Sequence, residues 1–315
     1  MKASVWLGQP EPSLARALCD FERQFQYPLG QDWFRICHGE DYSRFYQSLG
    51  LASHVVVQDD SGIVAVCGAV IRELYEPAQG LRKVLYLGDL KIAAHARGGR
   101  VLWSMVQALQ HHYEDIDSAF CVVMRGNTMA PDNYSGRAGL PAFDAIGSLR
   151  IWRLAVEGGT WAAAADAQVV SATQGMAAFR RLAGQHNYCL AGQPQRRSCM
   201  AAQWWMTADR RACGRLEDTR RAKQLFGSDG REMLSAHVGA FAFSDPASAG
   251  RLLQTLCAQV NAMACPALFL ALPEDCRELP ALLEQPPMGS IVAGATVYGC
   301  GLGAGQPWSL STSEI

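Results

Sequence analysis

The sequence predicts an α/β protein of two similar halves, each a twisted mixed β-sheet with helices on its faces. Three observations point there. Short apolar and β-branched runs alternate with stretches whose apolar residues follow the helical period. The order strand, helix, strand, short helix, strand occurs twice at similar spacing, as a degenerate duplication would leave it. The 315 residues, 49% of them hydrophobic, are enough to fill two ordinary cores.

The elements follow in order. Residues 12–26 place Leu14, Ala17, Leu18, Phe21 and Phe25 on one helical stripe, and the turn residues 27–30 break it. Residues 41–49 predict a second helix carrying Phe45 and Leu49. Residues 54–58 and 63–74 are β-branched runs joined by Asp59-Asp60-Ser61-Gly62, an antiparallel hairpin. Residues 83–93 read as a further strand. Val101, Leu102, Met105, Val106, Leu109, His112 and Tyr113 share a helical face. Residues 118–124 are almost continuously apolar, the mark of a buried strand. Residues 127–139 are polar and broken, with room for one short helix, and residues 148–156 close the half as a strand.

The glycine- and alanine-rich residues 157–168 mark the boundary, giving halves 1–156 and 169–315. In the second half, strands are expected over 200–207, 234–243, 266–272 and 291–303. A helix is expected over 247–263, with Asp245 as N-cap and Pro246 as first helical residue, and a short helical piece over 279–283.

Composition narrows the function classes. The 28 basic and 29 acidic side chains leave a formal charge of -1, so bulk charge gives no case for a nucleic-acid or membrane partner. The densest basic patch, Arg210, Arg211, Arg215, Arg220, Arg221 and Lys223, is broken by Glu217 and Asp218 and reads as a solvated face. A polyanion site there is the rival, and it predicts steep salt dependence. The 11 cysteines are odd in number and scattered, which suits reduced thiols; no metal site is expected. The N-terminal residues hold too short an apolar run for a signal peptide, and no stretch approaches the ~20 apolar residues of a membrane span. A cytoplasmic protein is the expectation.

The stretch Leu90 to Leu102 carries the most chemistry. A β-like segment passes through paired glycines into an apolar-periodic helix. A helix start offers unpaired N–H groups and the positive end of the macrodipole to phosphate oxygens. Gly98 and Gly99 let the backbone approach a ligand closely, and Arg97 and Arg100 can add charge-assisted bonds to a pyrophosphate. A tight strand-to-helix turn with a solvated arginine is the plainer reading. The matching junction of the second half, Phe243 to Ala247, has a carboxylate and no glycine, so that half is a poor phosphate binder.

Residues 50–155 resemble the GCN5-related N-acetyltransferase (GNAT) superfamily in element order and at three local points. These are Asp89-Leu90-Lys91-Ile92 at a strand end, Arg97-Gly98-Gly99 opening a helix, and Asn127-Thr128-Met129-Ala130 followed by Tyr134 and Gly139. The resemblance implies tandem GNAT-like domains, an acyl-CoA co-substrate such as acetyl-CoA, and acyl transfer to an amine of a small molecule. It also implies a cofactor site made of Leu90, Ile92, Arg97, Gly98, Gly99, Arg100, Val101, Leu102 and Asn127. Tyr134 would be the acid for the departing thiolate and Asp89 a base for the amine. The thioester oxygen would rest on a backbone N–H near Ile92. The acceptor would sit against residues 33–42, with Trp33, Arg35, His38 and Asp41 as contacts. Arg100 and Leu102 occupy slots where the family loop carries small residues. The alternative is therefore a non-catalytic binding module that kept the fold and lost acyl-CoA.

Overall fold

The computed structural model describes all residues except 1, 8, 9, 78, 99, 162–165, 185, 193, 195 and 196. The first half runs β1 (Lys2–Leu7), α1 (Pro12–Glu22), β2 (Tyr27–Leu29), β3 (Asp32–Cys37), α2 (Arg44–Leu49), β4 (Leu51–Asp59), β5 (Gly62–Glu76), β6 (Gly80–Ile92), α3 (Val101–His112), β7 (Ala119–Met124) and β8 (Asp144–Ala155). The second runs β9 (Ala167–Val170), α4 (Ala172–Leu182), β10 (Tyr188–Leu190), β11 (Gln203–Thr207), β12 (Ala212–Glu217), β13 (Gln224–Gly227), β14 (Ala236–Phe243), α5 (Pro246–Ala262), β15 (Ala267–Pro273), α6 (Ala281–Glu284), β16 (Ile291–Cys300) and β17 (Trp308–Ser309).

Two helices, α4 and α5, start on side-chain caps. Ser171 and Gln174 form a reciprocal capping box on α4, and the Asp245 carboxylate accepts the Ser248 N–H at the start of α5. Leu18 and Phe21 of α1 and Val101, Met105 and Leu109 of α3 bury against β4 and β5. Leu252, Leu253, Leu256 and Val260 of α5 bury against β8, β12, β14 and β15. Among the described residues, no helix is long and apolar enough to cross a membrane.

The two halves share one sheet. Its order is β1-β4-β5-β6-β7-β16-β8-β15-β14-β12-β11-β9, with β10 and β17 alongside. Strand β16 of the second half lies between β7 and β8 of the first, antiparallel to both. The boundary expected at 157–168 thus falls within a continuous sheet whose halves exchange strands.

Two expectations are corrected. Residues 27–30 do not merely end a helix: β2 and β3 form a hairpin, which β13 extends into a three-stranded sheet. Its turn needs Gly30, at φ +63. The basic patch is not one solvated face, because Arg215 and Lys223 are buried. Arg215 bonds Glu217 Oε1 (2.7 Å) and Glu314 Oε1 (2.9 Å), and Arg72 bonds Glu314 Oε2 (2.8 Å). Arg197 joins from the side, 2.7 Å from Glu217 Oε1. This enclosed ion cluster anchors residues 311–315 between the two halves, and Thr312 and Ile315 among them wall the cavity of the candidate site.

Candidate active site

Among the described residues, strands β6 and β7 are the one parallel pair in the first half, and they stay together only from Leu85↔Ala119 to Leu87↔Cys121. Beyond that β6 follows β5 and β7 follows β16, so the two part. The wedge between them opens into a cavity of about 330 Å³. Leu87 to Leu90 and Ile92 form one wall, and Cys121 to Met124 the other. The β2–β3 hairpin closes one side with Leu29, Phe34 and Ile36. The second half supplies Lys223, His237, Phe269 and Thr312.

A bulge shapes the β6 wall. Val66 faces Lys91 while Gly68 faces Gly88, so β6 carries one extra residue there. Asp89 occupies it at φ 54, a left-handed conformation that aspartate tolerates better than most residues. Gly68 and Gly88 have a second role. A Cβ on them would stand 2.6 and 3.0 Å from the Tyr46 ring, so their bareness lets that ring lie against the strands.

Beneath the bulge lies a buried charged cluster. His38 Nδ1 is 2.8 Å from Glu22 Oε2, and the His38 backbone N–H donates to Glu22 Oε1 at 2.9 Å. Lys91 Nζ lies 2.9 Å from Asp89 Oδ2 and 3.6 Å from Glu22 Oε2. The Tyr42 hydroxyl donates to Asp89 Oδ2 at 3.2 Å. Burial alone would push the Asp89 carboxyl up. Lys91 and then His38 outweigh it and hold the group well below the usual carboxylate range. Asp89 is therefore a fixed anion, a weak proton acceptor by itself.

Glu22, His38 and Asp89 are spaced as three metal ligands would be. The Lys91 ammonium, however, already bridges the two carboxylates, and a dication would meet like charge there. Lys91 already offsets one of the two carboxylate charges from within the chain.

The residues expected to hold a cofactor divide. Leu90, Ile92, Arg97, Leu102 and Asn127 line the cavity. Arg97 folds back, Nε donating to the Ile92 carbonyl at 3.2 Å. Gly98 has φ +77 and open space around it, as a close backbone approach requires, and Gly99 lies outside the described residues. Arg100 is the exposed residue before α3, and its side chain makes no cap bond to the helix start. The Val101 side chain is in the core, so only its backbone faces a ligand. Asn127 caps its own turn, Oδ1 accepting the Met129 N–H at 2.9 Å.

Tyr134 lines the cavity beside β7. Burial raises its hydroxyl above the ordinary phenol range. The neighbouring Cys121 thiol is pushed up to about 12 by the same cause.

Of the four expected acceptor contacts, only His38 reaches the cavity. In strand β3 successive side chains alternate, so Phe34, Ile36 and, just past its end, His38 turn inward. Trp33 and Arg35 turn away, the guanidinium over the indole at 6.0 Å, and Asp41 pairs with Arg44 at 3.1 Å. Sequence reasoning missed the strand and hence the alternation. It also missed Lys223, which burial pulls down to about 7. The Lys223 ammonium lies 4.1 Å over the Phe45 ring and donates to the backbone oxygen of Ile315.

Parting central strands, a glycine turn into α3 and a cavity in the gap define a GNAT-like fold, here in tandem form. Among solved structures, the chain is similar to N-myristoyltransferase of Saccharomyces cerevisiae with bound myristoyl-CoA, at TM-score 0.63 and 11% identity, over 99% of this chain and 82% of that one. A probable N-acyltransferase of Enterococcus faecalis matches at TM-score 0.53 and 7% identity, over 95% and 72%. A GCN5-related N-acetyltransferase of Anabaena variabilis matches at 0.51 and 10%, over 94% and 72%. At these identities the likeness is one of fold. No family model and no curated protein sequence matches the chain.

Proposed function

We propose that the protein is an acyl-CoA-dependent N-acyltransferase, moving an acyl group to the amine of a small molecule. The observation that carries the reading is the β6–β7 wedge: it opens into a cavity that reaches Arg97 and Leu102 at the start of α3. In this reading the pyrophosphate rests on the N–H groups at the start of α3, and the pantetheine arm runs along Cys121 to Met124. The thioester oxygen takes a backbone N–H of the parted β6 strand, and Tyr134 protonates the departing sulfur. The N-acyltransferases among the similar solved structures support it.

The cavity also speaks to the acyl group. Its 330 Å³ sits at the lower end of ligand pockets, roughly 300–1,000 Å³, and far exceeds what an acetyl group fills. Phe34, Phe45, Ile151 and Leu225 line it, and they favour a longer apolar chain. Each buried methylene is worth about 0.8 kcal/mol. Calorimetric titration is therefore expected to show octanoyl-CoA binding at least tenfold tighter than acetyl-CoA, with Arg97→Glu weakening both. Equal affinities would put the acyl chain outside the cavity, and no binding of either would favour the non-catalytic module. Tyr134→Phe is expected to keep octanoyl-CoA binding while transfer falls about 100-fold.

A further inference from the structure

Acyl transfer from a thioester needs the acceptor as a free amine, and Asp89, locked by Lys91, is poorly suited to take the proton. We infer that His38 is the general base of this site, held in place by Glu22. The inference rests on the acyltransfer reading above.

Three observations carry it. His38 borders the cavity and is buried, and among the described residues its Nε2 has no hydrogen-bond partner. Its other nitrogen is fixed by Glu22 Oε2 at 2.8 Å, and that carboxylate selects the tautomer with the proton on Nδ1. The lone pair then belongs to Nε2. Finally, Asp89 Oδ2 stands 3.4 Å from Nε2, close enough to stabilise the imidazolium once it forms. The remaining neighbours do not compete for the proton. Lys91 neutralises part of the carboxylate charge, the Tyr42 and Tyr46 phenols are pushed up by burial, and burial holds His54 neutral, down at about 3.

The step balances. The ammonium gives one proton to Nε2, and the neutral amine bonds to the thioester carbon. As the carbon–sulfur bond breaks, Tyr134 gives its proton to the departing sulfur and takes the second nitrogen proton in its place. The products are amide and free thiol, and His38 returns its proton to solvent.

The test compares two nucleophiles with octanoyl-CoA, the products being measured by mass spectrometry above the uncatalysed rate. Hydroxylamine is largely unprotonated at neutral pH and needs no base; n-butylamine is protonated and does. His38→Asn keeps a donor for Glu22 and removes Nε2. The variant is expected to keep hydroxylamine transfer within a few-fold and to lose about 100-fold with n-butylamine. Glu22→Gln, which removes the carboxylate that holds the His38 Nδ1 side, is expected to lower n-butylamine transfer about tenfold while keeping hydroxylamine transfer within a few-fold. Equal loss with both nucleophiles, or loss with neither, overturns the assignment, as does a wild-type protein that uses hydroxylamine but not n-butylamine. Undiminished n-butylamine transfer in Glu22→Gln overturns the part given to Glu22. A wild-type protein inactive with both nucleophiles removes the acyltransfer reading itself.

Discussion

Glu314 is enclosed by the fold and still charged. Burial works to raise its carboxyl, but Arg72, Arg215 and Arg197 outweigh it and bring it from 4.5 down to about 2. A carboxylate lowered on folding adds stability that is complete above about pH 4.5 and drains away as pH falls towards 2. Glu314→Gln leaves two buried arginines short of a partner, so at pH 7 it is expected to cost about 3–5 kcal/mol. Thermal unfolding from pH 6 to 2.5 checks this: the gap between wild type and variant should close on the acid side. A constant gap would mean that Glu314 is not the group that titrates. Residues of this kind are hard to find in a sequence. Asp89 and Tyr134 stand in local runs whose order carries meaning, whereas Glu22 and Lys91 become partners only because α1 folds over β6.

At the scale of elements, two strands are held apart from their own side chains. Gly68 and Gly88 face each other across β5 and β6, and Tyr46 fills the space. A methyl group at Gly68 would meet the Tyr46 ring at 2.6 Å, and that ring is buried with little room to swing. Gly68→Ala is therefore expected to cost about 1–3 kcal/mol. Because Tyr46 also lines the cavity, octanoyl-CoA affinity should fall in parallel. A variant that melts like wild type would show that the slot is not tight.

The strands that sequence reading recovered, such as β4, β5, β7 and β15, are apolar runs between turn residues. Those it lost break that rule for physical reasons. Every residue of β12 is buried, yet it carries Arg215 and Glu217, whose charges mask the pattern while pairing inside. Strand β2 contains Pro28, which an edge strand tolerates and which reads from sequence as a stop.

At the scale of the molecule, duplication was legible in the order of elements, but the exchange of strands was not. Nothing local in residues 291–300 says that they will lie between β7 and β8 rather than at the edge of their own half. The site inherits this. Its wedge belongs to the first half, while Lys223, His237, Phe269 and Thr312 come from the second. Residues 1–156 alone would leave β7 and β8 without the strand that joins them. That fragment is expected to show no cooperative thermal transition by circular dichroism, while the full chain does; a sharp transition in the fragment would mean that the first half is autonomous.

The same strand sets a timetable during synthesis. Met124 waits for Ala295, about 170 residues further on. At ribosomal speeds of 5–20 residues per second that is a delay of roughly 10–30 s. Throughout it, the nascent β7 offers an open, apolar edge with its neighbour still unmade. Such an edge invites pairing with other chains. The protein's yield in a cell should thus depend on how well that interval is chaperoned, before the finished fold's stability enters at all.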